Sequence, residues 1–421
     1  LTGAYARIRY QFKQPIGHFE GIEEPLARIG AEAYRMEAAH LLTLSALDRG
    51  DKPVVLSAIL KAYLTEANRR VINDAMDVHG GKAVVEGPNN YLSMGYQGLP
   101  VSITVEGANI LTRSMIVFGQ GAIRCHPFLL KEMQSAADTD LKAFDQAIWG
   151  HVCVVISNFF RASVLGLTRG RFTTTPTSGV TKKHYQDINR LSAAFSLTAD
   201  LCLLILGGKF KFKEKLSGRF ADALAHLYMA STTLRRFSDD GQPKEDIDVM
   251  NFAVQDSLHR VEQALFEVYQ NFPIRGLGGV IGRLCFPWGR VHHKATDRVG
   301  HRIARQLMAH TATRDRLTRD IYRPKEADGV GVVLQAFDAV LKAEPAEHAI
   351  RNALKAVPNP VNVERLARRG VEAGVISEDQ ASDLILAQQL SALVVAVDEF
   401  APDDLIHPIT SHKPATLAKA S

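Results

Sequence analysis

Apolar residues recur at steps of three and four along most of the chain. Ile22, Leu26, Ile29, Ala33 and Met36 form such a stripe within residues 22–47, which predicts an amphipathic helix ending at Gly50. A second long helix is predicted over 53–79. Asp51 opens it, Pro53 falls in its first turn where a missing N–H is tolerated, and Gly80-Gly81 closes it. Residues 82–104 contain Pro88, Asn89, Asn90, Gly95, Gly98 and Pro100 and read as irregular. A third helix is expected over roughly 106–118, stopping at Gly119. Long helices then follow near 140–167, 183–206, 212–237 and 244–271, with a Thr/Ser/Pro/Gly linker at 172–181 and a turn at Ser238–Gly241. Pro273–Arg290 reads as Gly-rich and irregular, shorter helices continue to about 397, and Lys413–Ser421 reads as a loose tail. Alternating β patterns are almost absent, so the predicted class is mainly α, a bundle followed by a second helical domain.

Composition adds bounds to this picture. With 421 residues, 46% hydrophobic and 23% charged, the chain has the make-up of a globular protein with room for two or three domains. Fifty basic and 45 acidic residues leave +5, a mild excess spread along the chain that does not mark a dedicated polyanion binder. Cys125, Cys153, Cys202 and Cys285 are too far apart for a zinc site or a dense disulfide framework, which favours a reducing compartment and a cytoplasmic location. No apolar run reaches the ~18–20 residues needed to cross a bilayer without a charge. The nearest, Leu191–Gly207, carries Asp200 and is followed by Lys209, Lys211, Lys213 and Lys215. It reads as a buried bundle helix, with peripheral contact at the inner membrane as the second option. Leu1 is not an initiator Met, and residues 1–10 already read as the body of a helix, so the chain is expected to begin inside something larger.

The sharpest local chemistry lies in Ile103-Thr104-Val105-Glu106-Gly107-Ala108-Asn109-Ile110-Leu111-Thr112-Arg113. One carboxylate stands among apolar neighbours where an irregular segment turns into a helix. Apolar packing would raise its pKa and a helix N-terminus would lower it, so both a general base and a plain N-terminal helix residue are open.

Three stretches, in order, resemble the acyl-CoA dehydrogenase family. Arg9-Tyr10-Gln11-Phe12-Lys13-Gln14-Pro15-Ile16 is similar to its Arg-x-Gln-Phe-Gly-x-Pro-Ile, Asp77-Val78-His79-Gly80-Gly81-Lys82 to its Gln-x-x-Gly-Gly, and the Glu106 segment to its Tyr-Glu-Gly-Thr catalytic turn. Phe118–Pro127 and the long helical extension resemble the large bacterial members of fatty-acid β-oxidation. The resemblance implies an acyl-CoA dehydrogenase-type four-helix bundle over 1–135 and an all-α extension over 136–421, with the N-terminal helical and β domains of the family lying outside this chain.

It also implies a chemistry. FAD would be the cofactor, with Arg9 and Gln11 contacting the diphosphate of the FAD of a neighbouring subunit and Phe12 packing nearby, and with further contacts from Asp77 and from the backbone at Gly80 and Gly81, where a side chain would block close approach. Glu106 would be the base that takes the α-proton of a fatty acyl-CoA, with Gly107 beside it at the substrate and the Glu106 N–H polarising the thioester carbonyl. The product would be a trans-2-enoyl-CoA, the electron acceptor an electron-transfer flavoprotein or similar carrier, and the assembly a homodimer or higher homo-oligomer. Lys13 replaces the family's Gly, Asp77 its Gln, Val105 its Tyr and Ala108 its Thr. No metal is implied.

A non-catalytic helical interaction or oligomerisation module is the main alternative, and a nucleic-acid binder is disfavoured by the even charge. The basic stretch around His292-His293 lacks a second cluster at metal-ligand spacing and reads as a solvated face.

Overall fold

The structure, a computed structural model, describes residues 1–325 and 329–401; the expected tail at Lys413–Ser421 lies outside the described residues. The protein is mainly α, as the periodicity requires. The long helices run Glu20–Asp48, Val54–His79, Leu141–Thr168, Lys182–Leu206, Glu214–Asp239 and Ile247–Gln270, each within a few residues of its predicted bounds. Among the described residues the strands are one short antiparallel pair, Tyr10–Gln11 with Gln14–Pro15.

Three segments depart from the sequence pattern. Residues 82–104 are not irregular throughout: Gly81–Val84 and Ser93–Thr104 are helical, the latter with Pro100 inside it. A side chain at Gly95 would sit 3.2 Å from Ile72, so close packing outweighs the poor helix propensity of Gly and Pro. Pro273–Arg290 contains a helix, Leu277–Cys285, whose Gly278 lies so near the Tyr269 carbonyl that a Cβ would be 2.1 Å from it. The helix expected over 106–118 instead starts at Asn109, passes through a π-helical stretch at Thr112–Gln120 and continues to Cys125.

Two compact units share the chain. The first takes residues 1–30, 69–100 and from 297 on, and the second 31–68 and 101–296, so each draws on both sides of residue 135. The first is centred on the helix Thr2–Ile8, whose Ala4, Tyr5, Ala6 and Ile8 are buried with Val333, Phe337, Val340 and Ile350 of the helix Gly329–Leu354. Gly3 cannot carry a side chain, because its Cβ would fall 2.5 Å from the Leu307 carbonyl oxygen.

In the second unit Leu191, Leu197, Phe220, Leu234, Phe237, Met250 and Leu258 are essentially inaccessible on the three helices spanning 182–270. Leu191–Gly207 is a buried bundle segment only in its first part, to Cys202, whereas Leu204 is 78% exposed. Phe118, on the π-helical stretch, stacks on Phe220 with centroids 4.8 Å apart and meets Phe195 and Phe210 edge-on. Fully burying one such ring is worth about 1.5–3 kcal/mol, which anchors the segment that follows Glu106.

This unit also encloses Arg35. Its guanidinium donates to Asp256 at 2.8 Å and to Ser257 Oγ at 2.9 Å and pairs with Glu32. Burial would raise the Asp256 carboxyl, but the charges of Arg35 and Arg260 hold it below its ordinary value. That contribution is complete above the usual carboxylate range near 4 and fades as pH falls through the lowered value. Arg35→Met leaves Glu32 and Asp256 to the more distant or more exposed Arg260, 3.8 and 2.9 Å away, and is expected to cost about 3 kcal/mol, seen as a lower urea midpoint at neutral pH.

Candidate active site

Glu106 and Gly107 form a turn between two helices rather than the start of one. Both are left-handed, at φ 56° and 103°, so Glu106 precedes the first helical residue, Asn109, by three positions. The helix N-terminus invoked from the sequence therefore acts from Asn109 onward and not from Glu106 itself. A non-glycine residue in this conformation costs about 1–3 kcal/mol and persists only where its surroundings impose it.

The surroundings do so through Lys61 on the helix Val54–His79. Its ammonium donates to the carbonyl of Ile103 at 3.1 Å, to the carbonyl of Gly107 and to Asn109 Oδ1 at 2.7 Å. A cation is favoured beside the unpaired carbonyls at the end of the helix Ser93–Thr104. Asn109 is buried and spends its amide on Thr65 Oγ1 at 2.9 Å, Glu66 Oε1 at 3.1 Å and the Ala62 carbonyl at 3.3 Å. Lys61 and Asn109 thus grip the turn from both ends.

The turn is presented outward. Glu106 is exposed, as are Val101, Val105, Ile110 and Leu111 around it. The apolar neighbours noted in the sequence therefore form an open apolar rim and do not enclose the carboxylate within this chain. Arg113 is committed elsewhere: its guanidinium takes both oxygens of Asp222, which also accepts from the Tyr63 hydroxyl at 2.8 Å. The hydrogen bonds to Asp222 and its charge keep Arg113 protonated against the opposing effect of burial. A cleft of about 310 Å³ nearby is lined by Ala62, Tyr63, Glu66, Asn109, Ile110, Arg113, Ser114, Glu214 and Lys215, so charged groups border a mostly apolar wall.

The residues matched to flavin contact belong to the other unit and are described within it. Arg9, Gln11 and Phe12 lie at the start of the short hairpin, with Phe12 88% exposed. Phe12 and Lys13 turn it at φ 48° and 67°, which explains why the family places Gly where this chain has Lys13. Gly80 and Gly81 are exposed at the end of the helix Val54–His79, as is Asp77 one turn earlier. Gly80 needs its φ of 60°. Gly81 has no left-handed φ, and a Cβ there would meet nothing within 4 Å, so neither backbone nor packing of this chain demands glycine. An open backbone of this kind suits a flat cofactor lying against it.

The two pieces matched to flavin contact are joined by further residues. Tyr5, four positions before Arg9, stacks on His79 with centroids 4.1 Å apart. His79 Nδ1 lies 2.7 Å from the Ala75 carbonyl, and Nε2 lies 2.8 Å from the Tyr91 hydroxyl. Burial pushes the His79 pKa down to about 4, so at neutral pH the ring is uncharged, donates through Nδ1 and accepts through Nε2. A histidine ending a helix reads as a charged partner of the dipole, and only burial makes it a neutral brace. His292 is likewise no solvated cation. It is largely covered near the Arg190–Glu262 pair, and this partial burial lowers its pKa to about 3.

Two family profiles match the chain: "Acyl-CoA dehydrogenase, C-terminal domain" over residues 1–118 and "Acyl-CoA dehydrogenase, C-terminal, bacterial type" over 123–400. The chain belongs to the acyl-CoA dehydrogenase family. A 3-(aryl)acrylate reductase of Clostridium sporogenes is 32% identical over 85 residues, 20% of this chain and 22% of that protein. An acyl-CoA dehydrogenase from Bacillus anthracis, solved complexed with FAD, superposes with a TM-score of 0.57 at 15% identity over 73% of this chain and 51% of its own. The chain thus spans about a fifth and about half of these two relatives.

Replacing Lys61 by Met removes the ammonium that joins Ile103, Gly107 and Asn109. The expected result is faster amide hydrogen exchange over residues 103–112, by at least tenfold, with the exchange of the 214–270 helices unchanged.

Proposed function

We propose that this chain supplies the catalytic base and part of the flavin-facing wall of an FAD-dependent acyl-CoA dehydrogenase that converts fatty acyl-CoA to trans-2-enoyl-CoA. The observation that carries the proposal is the Glu106–Gly107 turn, held left-handed by Lys61 and Asn109 and open to an apolar rim. Strain of this kind is kept where a side chain must be aimed.

Glu106 would accept the proton leaving the substrate α-carbon onto a carboxylate oxygen, and the rim of Val101, Val105, Ile110 and Leu111 would lie along apolar parts of substrate and cofactor. FAD, when bound, supplies the acceptor for the hydride that leaves the β-carbon. Arg9 would offer its charge to the diphosphate, Gln11 a hydrogen bond, and Gly80 and Gly81 a bare backbone. Asp77, where the family has Gln, can only accept hydrogen bonds when ionised and is the least suited of the set to an anionic cofactor. Residues 1–135 form the bundle domain in this reading and 136–421 its extension. An electron-transfer flavoprotein would take the electrons, and the enzyme would be a homodimer or higher homo-oligomer.

In the flavin-loaded enzyme, Glu106→Gln should retain flavin and lower the rate of flavin bleaching by acyl-CoA about 10²–10⁴-fold. A near-normal rate would overturn the assignment in favour of a non-catalytic helical module. Gly81→Leu, which meets free space in this chain, should weaken FAD binding by tenfold or more while leaving the thermal midpoint of the flavin-free protein unchanged. Unaltered flavin affinity would remove Gly81 from the cofactor wall.

A further inference from the structure

The helix Leu141–Thr168 is fastened to its unit along one side only. Ala147, Asn158, Ala162, Leu165 and Gly166 are buried. Asn158 donates to Asp200 at 3.1 Å, and Gly166 runs so close to the neighbouring backbone that a Cβ would stand 2.6 Å from the Cys285 carbonyl oxygen. The opposite side is apolar and exposed. Trp149, Val152, Ile156, Phe160, Val164 and Leu167 follow one another at steps of three or four, and all are between 42% and 71% exposed. They share a single face. At 1.5 Å per residue that face is about 27 Å long.

From Trp149 onward the charges along it have one sign, whereas the exposed Asp145 stands one turn before Trp149. There is no Asp or Glu between Asp145 and Asp187, whereas Arg161, Arg169 and Arg171 are exposed on or just beyond the helix. At its C-terminal end the face continues into Phe172, 80% exposed, and Trp288, 58% exposed. The Trp288 indole N–H donates to the Leu167 carbonyl at 3.0 Å, and the Arg169 guanidinium lies 5.7 Å from the ring centre. Large apolar groups bordered by indole and guanidinium match the boundary between acyl chains and headgroups.

We propose that this face is a membrane-docking surface on which the helix lies in the plane of an anionic bilayer. The helix is long and apolar enough to cross a bilayer by length and composition, but its other side is packed against protein through Asn158, Ala162 and Gly166, which suits a helix lying flat at the interface. Lipid phosphates supply the charge opposite to the exposed Arg161, Arg169 and Arg171. The face uses none of the residues assigned to base or flavin and stands apart from the dehydrogenase reading.

Co-sedimentation of the full chain with vesicles tests this. Binding is expected to phosphatidylglycerol/phosphatidylcholine vesicles and to be much weaker with phosphatidylcholine alone. Each of Arg169→Gln and Arg171→Gln should weaken it about fivefold, and rising salt should do the same. Trp149→Glu/Phe160→Glu should weaken it at least tenfold without altering the thermal midpoint, since both side chains are exposed. Absence of binding to the anionic vesicles, or equal binding by the double variant, overturns the proposal. So does a halving of the solution mass by that variant in the absence of lipid, which would make the face an interface between copies.

Discussion

One lysine holds the geometry on which the rest depends. Lys61 collects one carbonyl near the end of one helix, the carbonyl of a left-handed glycine and the side chain that starts the next helix. Without it the Glu106–Gly107 turn would lose the cation that offsets its unfavourable backbone conformation. Three acceptors around one ammonium offset strain of a few kcal/mol, and Asn109 transmits the anchorage to Ala62, Thr65 and Glu66. The arrangement separates two demands that conflict in a single residue. Glu106 can stay exposed because its position is fixed by neighbours that are not.

The same division recurs at the residues matched to flavin contact by resemblance. Arg9, Gln11, Phe12, Gly80 and Gly81 lie at the surface or partly so, yet the segments bearing them meet through Tyr5, His79 and Tyr91, of which Tyr5 and His79 are almost wholly buried. Keeping His79 neutral matters there, since a buried imidazolium without a carboxylate would be costly. In both units the polar groups that can do chemistry are few and outward, and the polar groups that hold position are interior and paired.

Family membership rests on matches that run through residue 400, and the periodicity that predicted the long helices was legible without them. The heptad-like stripe of residues 22–47 and the Pro53 and Gly80-Gly81 boundaries placed their helices within a few residues. Where the reading failed, at Ser93–Thr104 and Leu277–Cys285, glycines and a proline argued against helix locally. Packing against Ile72 and Tyr269 reversed that preference, because close approach of a bare backbone brings contacts that propensity does not count.

The order of the motifs and the identity of Glu106 could be read directly from the amino acids, because they depend on residue type and spacing alone. Lys61 and Asn109 could not. A lysine on a long helix reads as solvated, and an asparagine near a helix start reads as a local cap. Their roles arise from contacts more than forty residues apart in the chain, and only the tertiary structure brings such groups within hydrogen-bonding reach. It also decided which side of the helix Leu141–Thr168 is covered. Periodicity shows an apolar surface, but whether protein fills it depends on what the rest of the fold places alongside.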